Sequence, residues 1–308
     1  GTGGTGGTGT QSQKTSPHPN PVSAHIGCHT ALGLSHALST LSQITRPRHP
    51  LALPLGVVDW PEYAWRGLLL DVSRHFIPLP QLLRMVTAMS AAKLNTLHLH
   101  LTDAQSFPLM LEDVGGLRLS QLGIKGSFQG TNDEGQGTND GKRYTLDDMR
   151  VLVKFAASYG VEIIPEIDMP AHALSWGNSA EFNSTVLRCP IAAKRAAPDT
   201  PLNVYPLDPS NPLTYTVVEA VLSQIAGVFS SKYMHIGGDE VHSGCWAESE
   251  KVMEWAGAKG LGVHRISAYF EKQVLEMVQR LGKVPVVWQG AMDTGSLHMG
   301  EGEGVGAV

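Results

Sequence analysis

From residue 66 onward the chain repeats one pattern: a short apolar run, a turn, an amphipathic helix, then another apolar run. The runs are "GLLLDVS" (67–73), "NTLHLHLTD" (95–103), "VEIIPEID" (161–168), "KYMHIGGDE" (232–240) and "KVPVVWQG" (283–290). Apolar strands separated by helices are the signature of a parallel sheet covered on both faces. Between them, Leu82, Met85, Val86 and Met89 mark one face of a helix. Thr145 and Asp148 form an N-cap pair that opens another helix, and Gly160 closes it. Within 95–103 the leucines Leu97, Leu99 and Leu101 alternate with His98 and His100. Every run ends in polar or aromatic residues: Asp71, Ser73 and Arg74; Asp103; Glu166 and Asp168; Asp239 and Glu240; Trp288 and Gln289. A doubly wound sheet would gather its polar groups at one switch point, whereas a barrel collects them from all strand ends. The fold class expected is therefore α/β, a TIM-type (β/α) barrel over residues 61–308 with about five of its eight strand–helix units.

Ahead of this region the texture differs. Residues 1–20 are low-complexity Gly/Thr and Ser/Pro/His and are expected to be disordered. Residues 28–44 carry Leu34, Leu38 and Leu41 at helical spacing, and three prolines then break the pattern. At 42% hydrophobic residues the chain can build a sizeable core. A net charge of −5 with no basic cluster argues against nucleic acid or an anionic membrane as a partner. No apolar run approaches the roughly 18–20 residues of a membrane span. The three cysteines are too few for a disulfide scaffold and lack metal-type spacing. Asn183-Ser184-Thr185 is a glycosylation sequon.

The densest chemistry lies in "MHIGGDEVHSGCW" (234–246), where two acids stand side by side behind two glycines. Neighbouring side chains on a strand point to opposite faces, so Asp239 and Glu240 can share a site only where the pleat ends. A solvated turn is the plain alternative. Strand-end carboxylates with aromatics, an arginine and no phosphate-binding loop suggest a neutral polyol substrate. Glycoside cleavage normally places two carboxyl groups across the scissile bond, yet these two Cα atoms are only about 3.8 Å apart. Both acids on one side suit a reaction in which the substrate supplies the nucleophile.

The blocks "WRGLLLDVSRHF", "NTLHLHLTDAQSFP", "PEIDMPAHALSW", "HIGGDEV" and "VVWQG" resemble, in order and spacing, those of the glycoside hydrolase family 20 β-N-acetylhexosaminidases. The resemblance spans about residues 25–293 and implies a retaining, cofactor-free exo-hydrolase of terminal N-acetylglucosamine or N-acetylgalactosamine. By resemblance Glu240 is the general acid/base and Asp239 orients the 2-acetamido group; such an acid should have a pKa raised by burial and by its anionic neighbour, while Asp239 should stay ionised. Arg74 resembles the substrate-binding arginine, which could otherwise be a barrel-mouth ion pair. Asp103 matches a tuning acid, although Ala104 replaces the second Asp of that block. His172, with Asp168 behind it, resembles the histidine beside the acid. Trp288 resembles a wall of the acetamido pocket, its alternative being core packing. The resemblance further implies a disulfide between Cys189 and Cys245, Cys28 being left over. It also implies an N-terminal α+β domain ending in 21–60, glycosylation at Asn183, a lysosomal, vacuolar or secreted location, and a homodimer at full length. The loop 126–143, with "GTND" twice, is longer than the family's connection. The family's remaining strands, with a Tyr, an Asp, a Trp and a Glu, are expected outside this sequence.

Two other functions compete. A sugar-binding remnant without turnover would share these blocks. A metal-dependent amidohydrolase would use His98 and His100 as an HxH pair, completed by His172, His235 and Asp239.

Overall fold

A computed structural model describes residues 23–45, 53–123, 142–195, 205–293 and 306–307. The expectations for residues 1–20 and for the GTND loop fall largely or wholly outside these. The chain divides into two compact units, one ending at Asp59 and the other starting at Trp60.

The first unit contains helix α1 (Ala31–Ile44), capped by Thr30, whose hydroxyl accepts the Gly33 N–H at 2.9 Å. Thr40 ties the helix to Asp59 through a 2.7 Å hydrogen bond. The predicted leucine stripe is present, but no residue of α1 is buried.

The second unit begins with β1 (Gly67–Asp71), α2 (Leu79–Ala91) and β2 (Thr96–Thr102). A separate two-strand ladder, β3 (Leu109–Met110) with β4 (Tyr144–Thr145), leads into α3 (Leu146–Ser158) and β5 (Glu162–Ile167). Then come α4 (Pro190–Arg195), α5 (Pro212–Val228), β6 (Tyr233–His235), α6 (Ser243–Glu248), α7 (Glu250–Ala258) and α8 (Ile266–Arg280). β7 (Val284–Val287), α9 (Gln289–Asp293) and β8 (Gly306–Ala307) complete the described elements. The main sheet has the order β1-β2-β5-β6-β7-β8, every pair parallel. Sheet order follows chain order without reversal, which is barrel winding and not the doubly wound alternative. The fold is an incomplete (β/α) barrel. Among the described residues it carries one strand more than the five predicted, the additional β8 being only two residues long in a glycine-rich stretch.

Local rules explain the elements. Thr145 and Asp148 form a complete capping box on α3. Gly160 takes φ +70° just beyond that helix, a conformation glycine adopts without a Cβ penalty. α2 buries Leu82, Val86 and Met89 and leaves Met85 partly buried. Leu97, Leu99 and Leu101 are fully buried in the main core, each contributing about 1.5–3 kcal/mol by leaving water. His98 and His100, on the other face of β2, are buried too. The alternation therefore separates apolar from polar interior, not inside from outside. Among the described residues no helix is long and apolar enough to cross a membrane.

Two features place the strand-end loops. After β6, Gly237 and Gly238 take φ +70° and +94°. A Cβ on Gly237 would overlap the Asp168 carboxylate, and one on Gly238 would come within 2.9 Å of Ala291 Cβ. The glycines let the chain turn over Asp168 and deliver two consecutive acids to one side. Further on, Cys189 and Cys245 form a disulfide with Cα atoms 5.3 Å apart. Beside it, the Glu248 carboxylate accepts the N–H groups of Ile191 and Ala192 at 3.1 and 2.9 Å. Trp246 is fully buried with Val252, Ala256 and Ile266 and donates to the Leu207 carbonyl at 3.2 Å.

Gly237→Ala is expected to lower stability by at least about 2 kcal/mol, through positive φ and overlap together, as read by denaturant unfolding. Cys189→Ser is expected to cost up to about 4 kcal/mol, the chain-entropy value for a loop of this length. Non-reducing peptide mapping of the parent protein should recover the Cys189–Cys245 pair.

Candidate active site

The sheet register sets one polar layer across the strands. Asp71 pairs with His100, His100 with Glu166, and Glu166 with His235. Side chains one or two residues further along then reach the open end.

Asp71, at the end of β1, accepts the backbone N–H groups of Ser73 and Arg74 through Oδ1 at 2.9 and 3.0 Å. Its Oδ2 pairs with Arg74 Nη1 at 2.9 Å. The other arm of Arg74, Nη2, lies 2.6 Å from Asp103 Oδ2. Two acids thus fix the guanidinium while its side chain stays about one-third exposed.

Asp103 is fully buried and central. His100 Nε2 meets its Oδ2 at 2.9 Å, and His172 Nδ1 meets its Oδ1 at 3.2 Å. Burial alone would raise its pKa, but hydrogen bonds from His100 and His172 and the Arg74 charge pull it down to about 2. His100 has carboxylates at both nitrogens, Asp103 and, at 3.0 Å from Nδ1, Glu166 Oε2. Against the cost of burial, these two acids push its pKa up to about 11. His172 is likewise raised to about 9: burial opposes the charge, and Asp103 and Asp168 favour it. His235 goes the other way, down to about 4, because burial dominates. Its Nδ1 accepts the Gly237 N–H at 3.0 Å, as a neutral imidazole can.

Glu166 collects contacts from three strands. Its Oε1 accepts the Trp288 indole N–H at 2.9 Å, and its Oε2 lies 2.6 Å from His98 Nε2. Burial pushes against its ionisation, but His100 and His98 hold its pKa well below the usual carboxylate range. Asp168, buried beneath the turn, accepts the Gly238 N–H at 3.2 Å, and burial holds its pKa well above the ordinary value.

Asp239 and Glu240 come out beside His172. Its Nε2 stands 3.3 Å from Glu240 Oε2 and 3.9 Å from Asp239 Oδ1. His172 and Glu240 both adopt left-handed backbone, with φ +54° and +50°. Such conformations cost a non-glycine residue on the order of 1–3 kcal/mol and cluster at functional sites. Arg74, Asp168, His172, Asp239 and Trp288 line one open cleft. Asp103 lies below it.

One expectation about burial needs correction. Glu240 is not buried: its side chain is about half exposed, since the turn carries it beyond the end of β6. Asp239 is the more enclosed acid, and burial raises its pKa, with His172 opposing. Sequence reasoning gave Asp71 and Glu166 no role and offered His235 only as a metal ligand. The available signal was the recurrence of polar residues at one level of otherwise apolar strands.

Donor atoms of His98, Glu166 and His235 lie within 4.8 Å of one another, as do those of His100, Glu166 and Asp168, and of Asp103, Asp168 and His172. The set His98, His100, His172, His235 and Asp239 is not brought together: among the described residues its histidines fall into three separate groups. His100 and His172 each face carboxylates that favour their protonated forms.

Comparison with known proteins agrees with this geometry. Residues 63–303 match the model of glycosyl hydrolase family 20, catalytic domain. Beta-hexosaminidase subunit A1 of Dictyostelium discoideum is 32% identical over 241 residues, 78% of this chain and 41% of the relative. Beta-hexosaminidase 3 of Arabidopsis thaliana is 30% identical over 280 residues, 89% of this chain and 47% of the relative. The chain thus spans less than half the length of these relatives. Among solved structures, the exo β-N-acetylglucosaminidase of Vibrio harveyi in complex with N-acetylglucosamine superposes with a TM-score of 0.69 at 26% identity. That match covers 86% of this chain and 42% of that one. With the family model covering most of its length and the strand-end acids on the barrel face, the chain belongs to glycosyl hydrolase family 20.

Proposed function

We propose that the protein is a retaining exo-β-N-acetylhexosaminidase that removes terminal N-acetylglucosamine or N-acetylgalactosamine by substrate-assisted catalysis. The observation that carries this reading is the placing of Asp239, which lines the cleft, and its neighbour Glu240 together after one strand end, both within 4 Å of one nitrogen of His172. Ordinary retaining and inverting glycosidases set their carboxyl pairs about 5–10 Å apart, across the bond. Acids that share one side leave the opposite face of the anomeric carbon to the substrate's own acetamido oxygen.

In this mechanism Glu240 protonates the glycosidic oxygen as that bond breaks. The acetamido carbonyl oxygen attacks the anomeric carbon and closes an oxazolinium ring. Asp239 accepts the amide N–H and offsets the positive charge on the ring. Burial disfavours the Asp239 anion and His172 only partly offsets this, so the cationic intermediate adds a further countercharge. Glu240, now a carboxylate, takes a proton from water as that water opens the ring from the original face, giving retention. Arg74, gripped by Asp71 and Asp103, presents its fork to sugar hydroxyls. The Asp103–His172 pair holds the side of Glu240, Asp168 fixes the turn through Gly238, and Trp288 walls the acetamido pocket. The reaction requires no cofactor. The disulfide and the exposed Asn183 in its sequon support a lysosomal, vacuolar or secreted setting. The substrates would be glycoproteins, glycolipids or chitin fragments.

A fluorogenic N-acetylglucosaminide assay on the full-length protein tests this. Glu240→Gln and Asp239→Asn are each expected to lower kcat by about 10²–10⁴-fold. Unchanged kcat in Glu240→Gln would rule out its role as acid, and comparable turnover of the plain glucoside would rule out substrate assistance. A soluble protein that binds N-acetylglucosamine without turnover would be a sugar-binding chain.

pH dependence follows from the histidines. His172, raised in the folded state, stabilises the protein fully below about pH 6.5 and loses that contribution as pH rises through about 9. His235, depressed in the folded state, contributes above about pH 6.5 and loses its share as pH falls through about 4. Melting temperature should therefore decline on both sides of a maximum near pH 6.5, and His172→Gln should make the alkaline limb shallower, His100 supplying the rest of it.

A further inference from the structure

Glu166 is fully buried and lies outside the cleft lining, yet it touches the residue that forms one wall of the cleft. Its Oε1 accepts the Trp288 N–H at 2.9 Å across 122 positions of sequence. The ring centroids of His98 and His235 lie 5.4 and 4.6 Å from that of the indole. His98 Nε2 and His100 Nδ1, at 2.6 and 3.0 Å from Oε2, fix the other half of the carboxylate. The indole is held at its edge by an ionised acceptor and along its ring by two imidazoles. An aromatic ring set only in apolar contacts can tilt to admit a larger ligand. Here tilting would break a charge-assisted hydrogen bond and strand a donor.

We infer that Glu166 is a positioning residue that sets the selectivity of the site for the size of the substrate's N-acyl group, by fixing the plane of Trp288. This rests on the reading that the cleft takes a 2-acetamido sugar with its methyl group against Trp288. A wall that does not yield admits N-acetyl and rejects N-propionyl. One methylene in a fitted pocket discriminates by about 10–200-fold.

The test compares kcat/KM for fluorogenic N-acetyl- and N-propionylglucosaminides in the full-length protein and its Glu166→Gln, Glu166→Asp and Glu166→Leu variants. Glu166→Gln keeps an acceptor oxygen at the same reach and is expected to retain the parental preference, whatever its rate. Glu166→Asp keeps the charge but withdraws the acceptor by one methylene, and its preference for acetyl should fall about 10-fold, as should that of Glu166→Leu. If Glu166→Leu fails to fold, the Gln and Asp variants decide. A purely structural or electrostatic role would lower rates without moving the ratio, or would spare Asp more than Gln, and either result overturns the inference. A parent that turns over N-acetyl substrate without acyl preference also overturns it. A parent with no turnover overturns the functional reading beneath it.

Discussion

His100 sits between Asp103 and Glu166 with a carboxylate at each nitrogen, and the strand-end layer is organised around it. An isolated ion at this depth would pay a desolvation penalty of several kcal/mol, which only well-placed partners can offset. Charge therefore alternates along a chain of contacts from Arg74 through Asp103 and His100 to Glu166. Removing one member leaves its neighbours uncompensated in an apolar surround. The apolar side of the same strands supplies the burial that permits this: Leu97, Leu99 and Leu101 face the helices while His98 and His100 face the interior. Fold and site are two faces of β2.

The barrel was legible because its signal is repetitive. Each apolar run and helical stripe states the same period, and the order of the blocks carried the family. The resemblance singled out Arg74, Asp103, His172 and the two acids, and each lies within five residues of a strand end. The internal network was not legible. Glu166 and His235 look like ordinary polar interruptions until the register sets them level with His100. Nothing in the linear chain states that the Trp288 indole will reach back to Glu166. The burial of Glu240 was misassigned for a related reason. Sequence spacing placed the two acids together, but the left-handed step at Glu240 and the turn at Gly237 and Gly238 decide which carboxylate is sheltered.

That step has its own logic. Glu240 and His172 reach each other only through two unfavourable backbone conformations on different loops. The turn beneath Glu240 is fixed by Asp168, and the loop that follows it is tethered by the disulfide and by Glu248. Rigid supports at both ends let a strained residue persist, so the stiffness of these loops and the placing of the acid are one property.

The unreversed order of the sheet also shapes how such a site can come into being. Each strand docks beside the one before it, so a growing chain can add its units in the sequence in which they are made. The cleft does not share that gradualness. Its first contributor, Leu69, and its last, Trp288, are separated by most of the unit, and the indole joins the layer only when β7 is in place. A nascent chain would carry a well-packed partial core long before it carried a pocket.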